Sequence, residues 1–147
     1  MVDYADIGKR IRACRLAKGM TQEQLANEVG VVVTHISHIE TGNSVPSLKT
    51  LIDIINAHKK HVWVRHVVVP DINDTPEDME ALNVFMKKIR FVDKVELLGY
   101  HTMAVEKYGK LGITYRLKGV PPMDSARLME LQKLIHKPAE AVTRVSL

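Results

Sequence analysis

The chain has 147 residues, 46% hydrophobic and 26% charged, and 21 basic against 17 acidic side chains leave a formal net charge of +4. This composition is typical of a folded protein with one ordinary domain or two very small ones, and the mild positive charge permits an anionic partner without requiring one. Cys14 is the only cysteine, which excludes an internal disulfide framework and any zinc or iron–sulfur site needing several thiolates from one chain.

No apolar run approaches the ~20 residues of a membrane-spanning helix. The first six residues also lack the basic and then apolar pattern of a secretory signal. We therefore predict a cytoplasmic protein with no membrane partner.

The first sixty residues are predicted to form short helices. The spacing of apolar residues predicts helices at about 4–17, 22–28 and 33–41, and a fourth that starts at Pro46 and Ser47. Gly19 ends the first helix, Thr21 caps the second, and Gly30 supplies the turn before the third. The residues of the fourth helix predicted to face inward are Leu48, Leu51, Ile52 and Ile55.

Two short helices joined by a glycine-containing turn make a helix-turn-helix, whose second helix enters the major groove of DNA. The segments RLAKGMTQEQLA at 15–26, HIETG at 38–42 and PSLKTL at 46–51 resemble the lambda-repressor-like, Cro-type helix-turn-helix family over about residues 4–57. The resemblance implies an all-α DNA-binding domain of four to five helices at residues 1–58. It also implies a transcription regulator with double-stranded DNA as its partner.

The same resemblance assigns roles to individual residues. Gln22 matches a position that touches a DNA phosphate, and Asn43 and Lys49 lie where the loop and the fourth helix approach the DNA backbone. Arg15 and Glu40 match a pair that forms an internal salt bridge. The outward positions of the recognition helix, where family members read base edges, are Val33, Thr34, His35 and His38.

Two features depart from the family pattern. Val32 stands where family members have Ser or Thr, so the usual cap of the recognition helix is missing, a loss of about 0.5–2 kcal/mol. The recognition face also lacks Arg and Asn, which suit bidentate base contacts. His35 and His38 taken alone are ordinary solvent-facing residues, and the resemblance favours the DNA-reading role.

After residue 57 the pattern changes to alternating strands and helices. A basic junction at 58–61 is predicted to be solvated. Beyond it the sequence predicts strands at 62–69 and 94–98 and helices at 76–89, 103–111 and 124–136, while the tail from 139 to 147 gives no clear signal. Strand, helix and strand form a βαβ unit with parallel strands, normally buried on both faces, so we predict an α+β chain with burial of Val67, Val68 and Val69.

The segments KHVWVRHVVVP at 60–70 and KVELLGYH at 94–101 resemble the carboxy-terminal end of pyruvate formate-lyase activating enzymes, which are radical S-adenosylmethionine proteins, over about residues 60–136. The resemblance implies that residues 59–147 are an α/β fragment of a barrel. It places Arg65 and His101 where that family helps hold S-adenosylmethionine, with Gly99 replacing a family proline. The family's CxxxCxxC cluster motif is absent, so we predict no cofactor, no metal site and no enzymatic activity, and interpret both residues as relics.

Three hypotheses follow. The first is a sequence-specific DNA-binding transcription regulator whose second half serves for packing or dimerisation. The second is a truncated activating-enzyme-like protein that lacks its cluster and is inactive without a complementing chain. The third is a recombined gene with no selected role for its second half. Since the strands at 62–69 and 94–98 have unpaired edges, we also predict a homodimer held mainly by residues 62–136.

Overall fold

The computed structural model describes residues 3–136, apart from three side chains in the sixth helix, so the tail from 139 to 147 lies outside the described residues. The elements are α1 (Tyr4–Ala17), α2 (Gln22–Val29), α3 (Val33–Glu40), α4 (Leu48–Ala57), β1 (Val62–Val68), α5 (Pro76–Met86), β2 (Val92–Gly99), α6 (Met103–Lys110) and α7 (Ser125–Leu134). Helices and one small parallel sheet confirm the predicted α+β class.

The chain divides into two compact units. Unit 1 comprises Met1–His61 together with Ile89–Phe91, and unit 2 comprises Val62–Lys88 together with Val92–Leu147. Unit 1 therefore includes a short segment, Ile89–Phe91, from the second half of the chain. The predicted domain boundary between residues 58 and 59 does not include this segment in the first domain.

Three of the four helices of unit 1 begin at a side-chain cap. The Asp3 carboxylate accepts the N–H of Asp6 at 3.0 Å, and the Ser47 hydroxyl accepts the N–H of Thr50 at 3.0 Å. Thr21 and its third neighbour Gln24 form a reciprocal capping box. Only α3 starts without a side-chain cap, because Val32 occupies that position.

The core of unit 1 is built from one apolar face of each helix. Its buried members are Ile11, Leu25, Ala26, Val29, Ile36, Ile39 and Ile54. The prediction that Leu48 faces inward is wrong, since this side chain is 61% exposed. Thr50 and Ile54 set the buried side of α4, and Leu48 lies two residues before Thr50, about 200° away around the helix.

Gly8 allows close packing of α1 against the end of α3. A Cβ atom at this position would overlap the carbonyl oxygen of Ile39. Gly42, with φ of +77°, also lies against α1, because a Cβ there would be 2.9 Å from the Cα of Ala5. A glycine inside a helix costs roughly 1 kcal/mol relative to alanine. Its presence at position 8 is therefore a sequence signal that another element packs closely against the helix there.

His58 is buried, and the prediction of a solvated junction is wrong for this residue. Its side chain follows the buried Ile54 by one helical turn, and the residue is 4% exposed. Neither ring nitrogen has a hydrogen-bond partner within residues 3–136. Burial lowers the pKa of His58 below its usual 6.5, the charges of Lys18 and Lys60 add to this, and Glu28 opposes it.

We expect this histidine to make unit 1 less stable in mild acid. Because the pKa is lower in the folded state, the unfolded chain binds the proton first. Stability is then complete above about pH 6.5 and falls as the pH drops through the folded pKa, by up to about 1.4 kcal/mol per pH unit. His58→Leu should lose less stability than the unchanged protein between pH 7.5 and 5.5 in urea unfolding. Equal losses in both proteins would contradict this.

Unit 2 is built on a two-stranded parallel sheet. Val64 pairs with Val95 and Val68 with Gly99, which confirms the parallel βαβ connection through α5. Thr75 opens α5 with a capping box. Helices α5 and α7 cover one face of the sheet, with a core of Val68, Met79, Leu82, Met86, Leu97, Leu131 and Ile135.

The other face of this sheet is exposed, so the expectation of burial on both faces is wrong. Side chains along β1 alternate between the two faces, and Trp63 and Val67 are 52% and 48% exposed. Val68, the next residue after Val67, is fully buried on the face that the helices cover. Two strands with one helical layer leave the second face uncovered within residues 3–136.

Candidate nucleic-acid interface

The α2–turn–α3 segment forms a sharp connection that a glycine makes possible. Gly30 ends α2 with φ of +71°, in the left-handed region that favours glycine, and α3 starts three residues later. Leu25 of α2 and Ile36 and Ile39 of α3 are fully or almost fully buried. Packing through these residues leaves the opposite side of α3 directed away from the core.

That outer side of α3 carries the four residues expected to read bases. Thr34 and His38 are exposed and one helical turn apart, while His35 is partly buried three residues before His38. Val33 is 43% exposed at the start of the helix. The surface therefore offers a hydroxyl, two imidazoles and a small apolar side chain, which can contact the hydrogen-bonding edges of bases and the methyl group of thymine.

Arg15 and Glu40 form a bidentate ion pair inside unit 1. Arg15 Nε lies 2.6 Å from Glu40 Oε1 and Nη2 lies 2.9 Å from Oε2, and the two side chains are 7% and 1% exposed. Arg15 Nη1 also donates to the carbonyl oxygen of Met20 at 2.6 Å. The pair therefore joins α1, the following turn and the end of α3.

The pair shifts the pKa of both groups toward the charged forms. The hydrogen bond with Glu40 raises the pKa of Arg15. Burial alone would raise the pKa of Glu40, but hydrogen bonds from Arg15 and Gln22 outweigh it, and the pKa of Glu40 is lowered from its usual 4.5. Both side chains are thus held charged, with their hydrogen-bonding groups paired.

The three residues expected to contact the DNA backbone are held by neighbours in the free protein. Gln22 Nε2 donates to Glu40 Oε2 at 2.9 Å, and Asn43 Nδ2 donates to the Thr41 hydroxyl at 3.1 Å. Lys49 Nζ lies 2.7 Å from a carboxylate oxygen of Asp53. The sequence did not indicate the bond between Gln22 and Glu40, because it depends on α3 packing against α2, whereas the i,i+4 spacing of Lys49 and Asp53 is itself a signal for their pairing.

Arg65 and His101, the positions implied by the activating-enzyme resemblance, lie at different places along the sheet. Arg65 Nε is 3.0 Å from Glu96 Oε2, on the exposed face of the sheet. His101 lies two residues beyond the end of β2, whereas Arg65 lies in the middle of β1, opposite Glu96. With Arg65 paired to Glu96 and Cys14 the single cysteine, the residues present do not fit S-adenosylmethionine with an iron–sulfur cluster.

Two further findings concern residues 3–136. No group of three or more His, Cys, Asp or Glu side chains in this range is arranged to hold a metal ion. None of the helices in the same range is long and apolar enough to cross a membrane.

Residues 11–62 match the family model described as helix-turn-helix, which confirms the resemblance of the first part of the chain. Among solved structures, the restriction-modification controller protein C.AhdI from Aeromonas hydrophila is 31% identical, with 40% of this chain aligned to 88% of that protein at a TM-score of 0.39. The clp gene regulator ClgR from C. glutamicum is 25% identical, with 41% of this chain aligned to 77% of that protein, also at a TM-score of 0.39.

Curated relatives confirm the second resemblance. A pyruvate formate-lyase-activating enzyme from Clostridium pasteurianum is 32% identical over 120 residues, which are 77% of this chain and 50% of that protein. The enzyme of the same name from Streptococcus mutans is 38% identical over 98 residues, which are 67% of this chain and 37% of that protein. The chain thus spans half or less of these relatives, and both alignments are longer than the expected 60–136.

Proposed function

We propose that this chain, with its helix-turn-helix at residues 11–62, is a sequence-specific DNA-binding regulator of transcription. The observation that carries the proposal is the exposed outer side of α3, with Thr34, His35 and His38 directed away from the core. This helix would enter the major groove while α2 lies across the DNA backbone.

Base reading would come from the outer side of α3. The Thr34 hydroxyl and the imidazoles of His35 and His38 can donate to or accept from base edges, and Val33 can contact a thymine methyl group. Without an arginine or asparagine there, the bidentate contacts to guanine and adenine are missing. We therefore expect modest affinity for a single domain.

Backbone contacts would come from Gln22, Asn43 and Lys49. Each must exchange its present partner for a phosphate oxygen. For Lys49 this exchange costs little, because its side chain is 84% exposed and a surface pair with Asp53 contributes only about 0–1 kcal/mol. Asn43 is also exposed, whereas Gln22 is held by the partly buried hydrogen bond to Glu40.

The proposed regulator acts as a homodimer in the cytoplasm, without enzymatic activity of its own. Helix-turn-helix dimers place two recognition helices about one turn of DNA apart. Two copies with modest individual affinity then bind one site together. The association would run mainly through residues 62–136.

Capture of genomic DNA fragments followed by sequencing tests the proposal. We expect the full chain to enrich one sequence pattern. The double variant Thr34→Ala/His38→Ala should lose that enrichment, since each lost base contact costs about 1–3 kcal/mol of discrimination. The matched control is Thr114→Ala/His136→Ala, which removes the same residue types from exposed positions of unit 2. Enrichment of no pattern by the unchanged protein would refute the function.

The curated relatives favour a second candidate, an activating-enzyme-like protein that is inactive on its own. The relatives carry that name, and this chain aligns with up to half of their length. Its chemistry would require cluster ligands from another chain, because Cys14 is the single cysteine here. Under this candidate the DNA capture yields no enriched pattern, and the variants of α3 have no effect.

A further inference from the structure

The outer edge of β1, on the side away from β2, has backbone groups with a definite orientation. In a parallel pair, the N–H and C=O groups of alternate residues point to opposite edges of a strand. The Val68 carbonyl accepts the N–H of Tyr100 at 2.9 Å, on the side of β2. The N–H and C=O groups of Val64 and His66 therefore also point toward β2, whereas those of Trp63 and Arg65 point away from it.

Side chains bond to some backbone groups at the other exposed edges of this sheet. On the outer edge of β2, Gln132 Oε1 accepts the N–H of Leu97 at 2.8 Å. At the end of β1, Asn73 accepts the N–H of Val69 at 2.6 Å and donates to the carbonyl oxygen of Val67 at 3.0 Å. Such side-chain caps prevent pairing with another strand.

On the outer edge of β1, before the positions that Asn73 caps, an open stretch is left at Trp63 and Arg65. Their two N–H and two C=O groups have no hydrogen-bond partner within residues 3–136. Beside this edge runs a groove lined by Val64 and His66 of β1 and by Leu82 and Phe85 of α5. An added strand would therefore find backbone partners along the edge. For its side chains the groove offers a mixed surface, apolar at Val64, Leu82 and Phe85 and polar at Asn73 and Asp78.

We propose that β1 of a second copy pairs antiparallel with this edge, with a two-fold axis passing beside Val64. Trp63 then lies opposite the partner's Arg65, and Arg65 opposite the partner's Trp63. The two N–H and two C=O groups of each strand meet those of the other in four hydrogen bonds. The result is one four-stranded sheet, in the order β2, β1, partner β1, partner β2.

Two features select this register over one centred on Arg65. Centring on Arg65 would place Trp63 opposite the partner's Val67, whose carbonyl oxygen already accepts from Asn73. It would also set two guanidinium groups directly opposite, which is destabilising. In the register centred on Val64, Trp63 lies beside the partner's Arg65, which extends across the interface the stacking seen within the chain, where the Arg65 guanidinium is 5.0 Å from the Trp63 ring.

The choice of a second copy as occupant rests in one respect on the proposed function, since a helix-turn-helix that reads two half-sites needs a two-fold partner. The edge supplies the independent argument. Its free donors and acceptors are equal in number and match themselves under a two-fold rotation. An unrelated strand would find the same backbone groups, but only a second copy also sets Trp63 beside the partner's Arg65 at both ends of the contact, as the two side chains stack within the chain.

A proline substitution tests the pairing at the backbone. Arg65→Pro removes one outward N–H and leaves the ladder with β2 intact, because that ladder uses the N–H groups of Val64 and His66. Arg65→Ala is the control, since it removes the side chain but keeps the N–H. By light scattering at micromolar concentration, we expect a dimer of the full chain and a monomer of Arg65→Pro. Arg65→Ala should give a dimer with weaker affinity, because it keeps the backbone hydrogen bonds and loses only the contact with the partner's Trp63. A monomeric full chain, or a dimeric proline variant, would overturn the proposal.

Cysteine cross-linking tests the register, including the case in which the proline variant does not fold. In a Cys14→Ser background, Val64→Cys places two Cα atoms about 4.5 Å apart across the axis, within the range of a disulfide. His66→Cys places them roughly 13 Å apart. We expect oxidation to link the Val64→Cys dimer and to leave the His66→Cys protein unlinked. Linking of Arg65→Cys in place of Val64→Cys would overturn the register.

The DNA capture described above separates failure of the interface from failure of the function. If the chain enriches a DNA pattern but is monomeric, the regulator proposal stands and the interface is wrong. If the Val64→Cys link forms but no DNA pattern is enriched, the interface stands and the regulator proposal is wrong.

Discussion

Replacing Glu40 by alanine is expected to cost unit 1 about 3–5 kcal/mol of unfolding free energy, enough to unfold a small domain of ordinary stability. The variant leaves the Arg15 guanidinium charged in a site where its side chain is 7% exposed. Two of its hydrogen bonds disappear, and the bond to the Met20 carbonyl cannot offset the cost of desolvation. Gln22 loses its carboxylate partner in the same step.

Calorimetry and amide hydrogen exchange of unit 1 measure this loss. Glu23→Ala is the matched control, because this glutamate is exposed in the first turn of α2 and should cost little. An apolar double replacement, Arg15→Met/Glu40→Leu, should recover most of the stability lost in Glu40→Ala, since it removes both buried charges. Similar unfolding temperatures for Glu40→Ala and Glu23→Ala would show that the pair does not hold the domain.

The second large effect concerns salt. With about four phosphate contacts per domain, the affinity of one domain for duplex DNA should fall roughly 150-fold between 50 and 200 mM salt, a log–log slope of about −3.6. We expect few contacts because residues 1–60 carry 8 basic and 6 acidic side chains, a local charge of only +2. A dimer on two half-sites should show about twice that slope, so the same titration reports how many domains bind.

Fluorescence anisotropy on the enriched DNA pattern measures the slope. Lys49→Ala should reduce it by about 1, because one phosphate contact is lost. Lys110→Ala, which removes an exposed lysine from unit 2, should leave it unchanged. Affinity that does not change with salt for the full chain would contradict phosphate contact at the predicted surface.

Acid should weaken unit 1 in two separate ranges of pH. The buried His58 reduces stability as the pH falls below about 6.5, whereas Glu40 acts lower. Since the pKa of Glu40 is lowered in the folded state, its contribution is complete above its usual 4.5 and is lost as the pH falls through the folded value. The two ranges allow each group to be followed in one pH series.

Local patterns in the sequence were sufficient for the elements of this fold. The spacing of Ile7 and Ile11 along one helical face, the capping residues Thr21 and Thr75, and glycine at position 30 placed helix starts and ends close to those observed. These signals act within a few residues along the chain, since a cap or a turn glycine satisfies backbone groups of its own helix. The run of β-branched residues at 62–69 likewise predicted strand β1 from neighbouring residues alone.

Which faces of those elements are covered was decided only by the tertiary structure. Leu48 was expected to be buried and is exposed, and His58 was expected to be solvated and is buried. Val67 lies on the open face of the sheet although its neighbours in the sequence are apolar. The open edge at Trp63 and Arg65 ends where Asn73, a few residues after β1, caps Val67 and Val69, and Gln132 reaches β2 from 35 residues further along the chain. Periodicity shows which residues share a face, but burial depends on what packs against that face, and those partners come from other parts of the sequence.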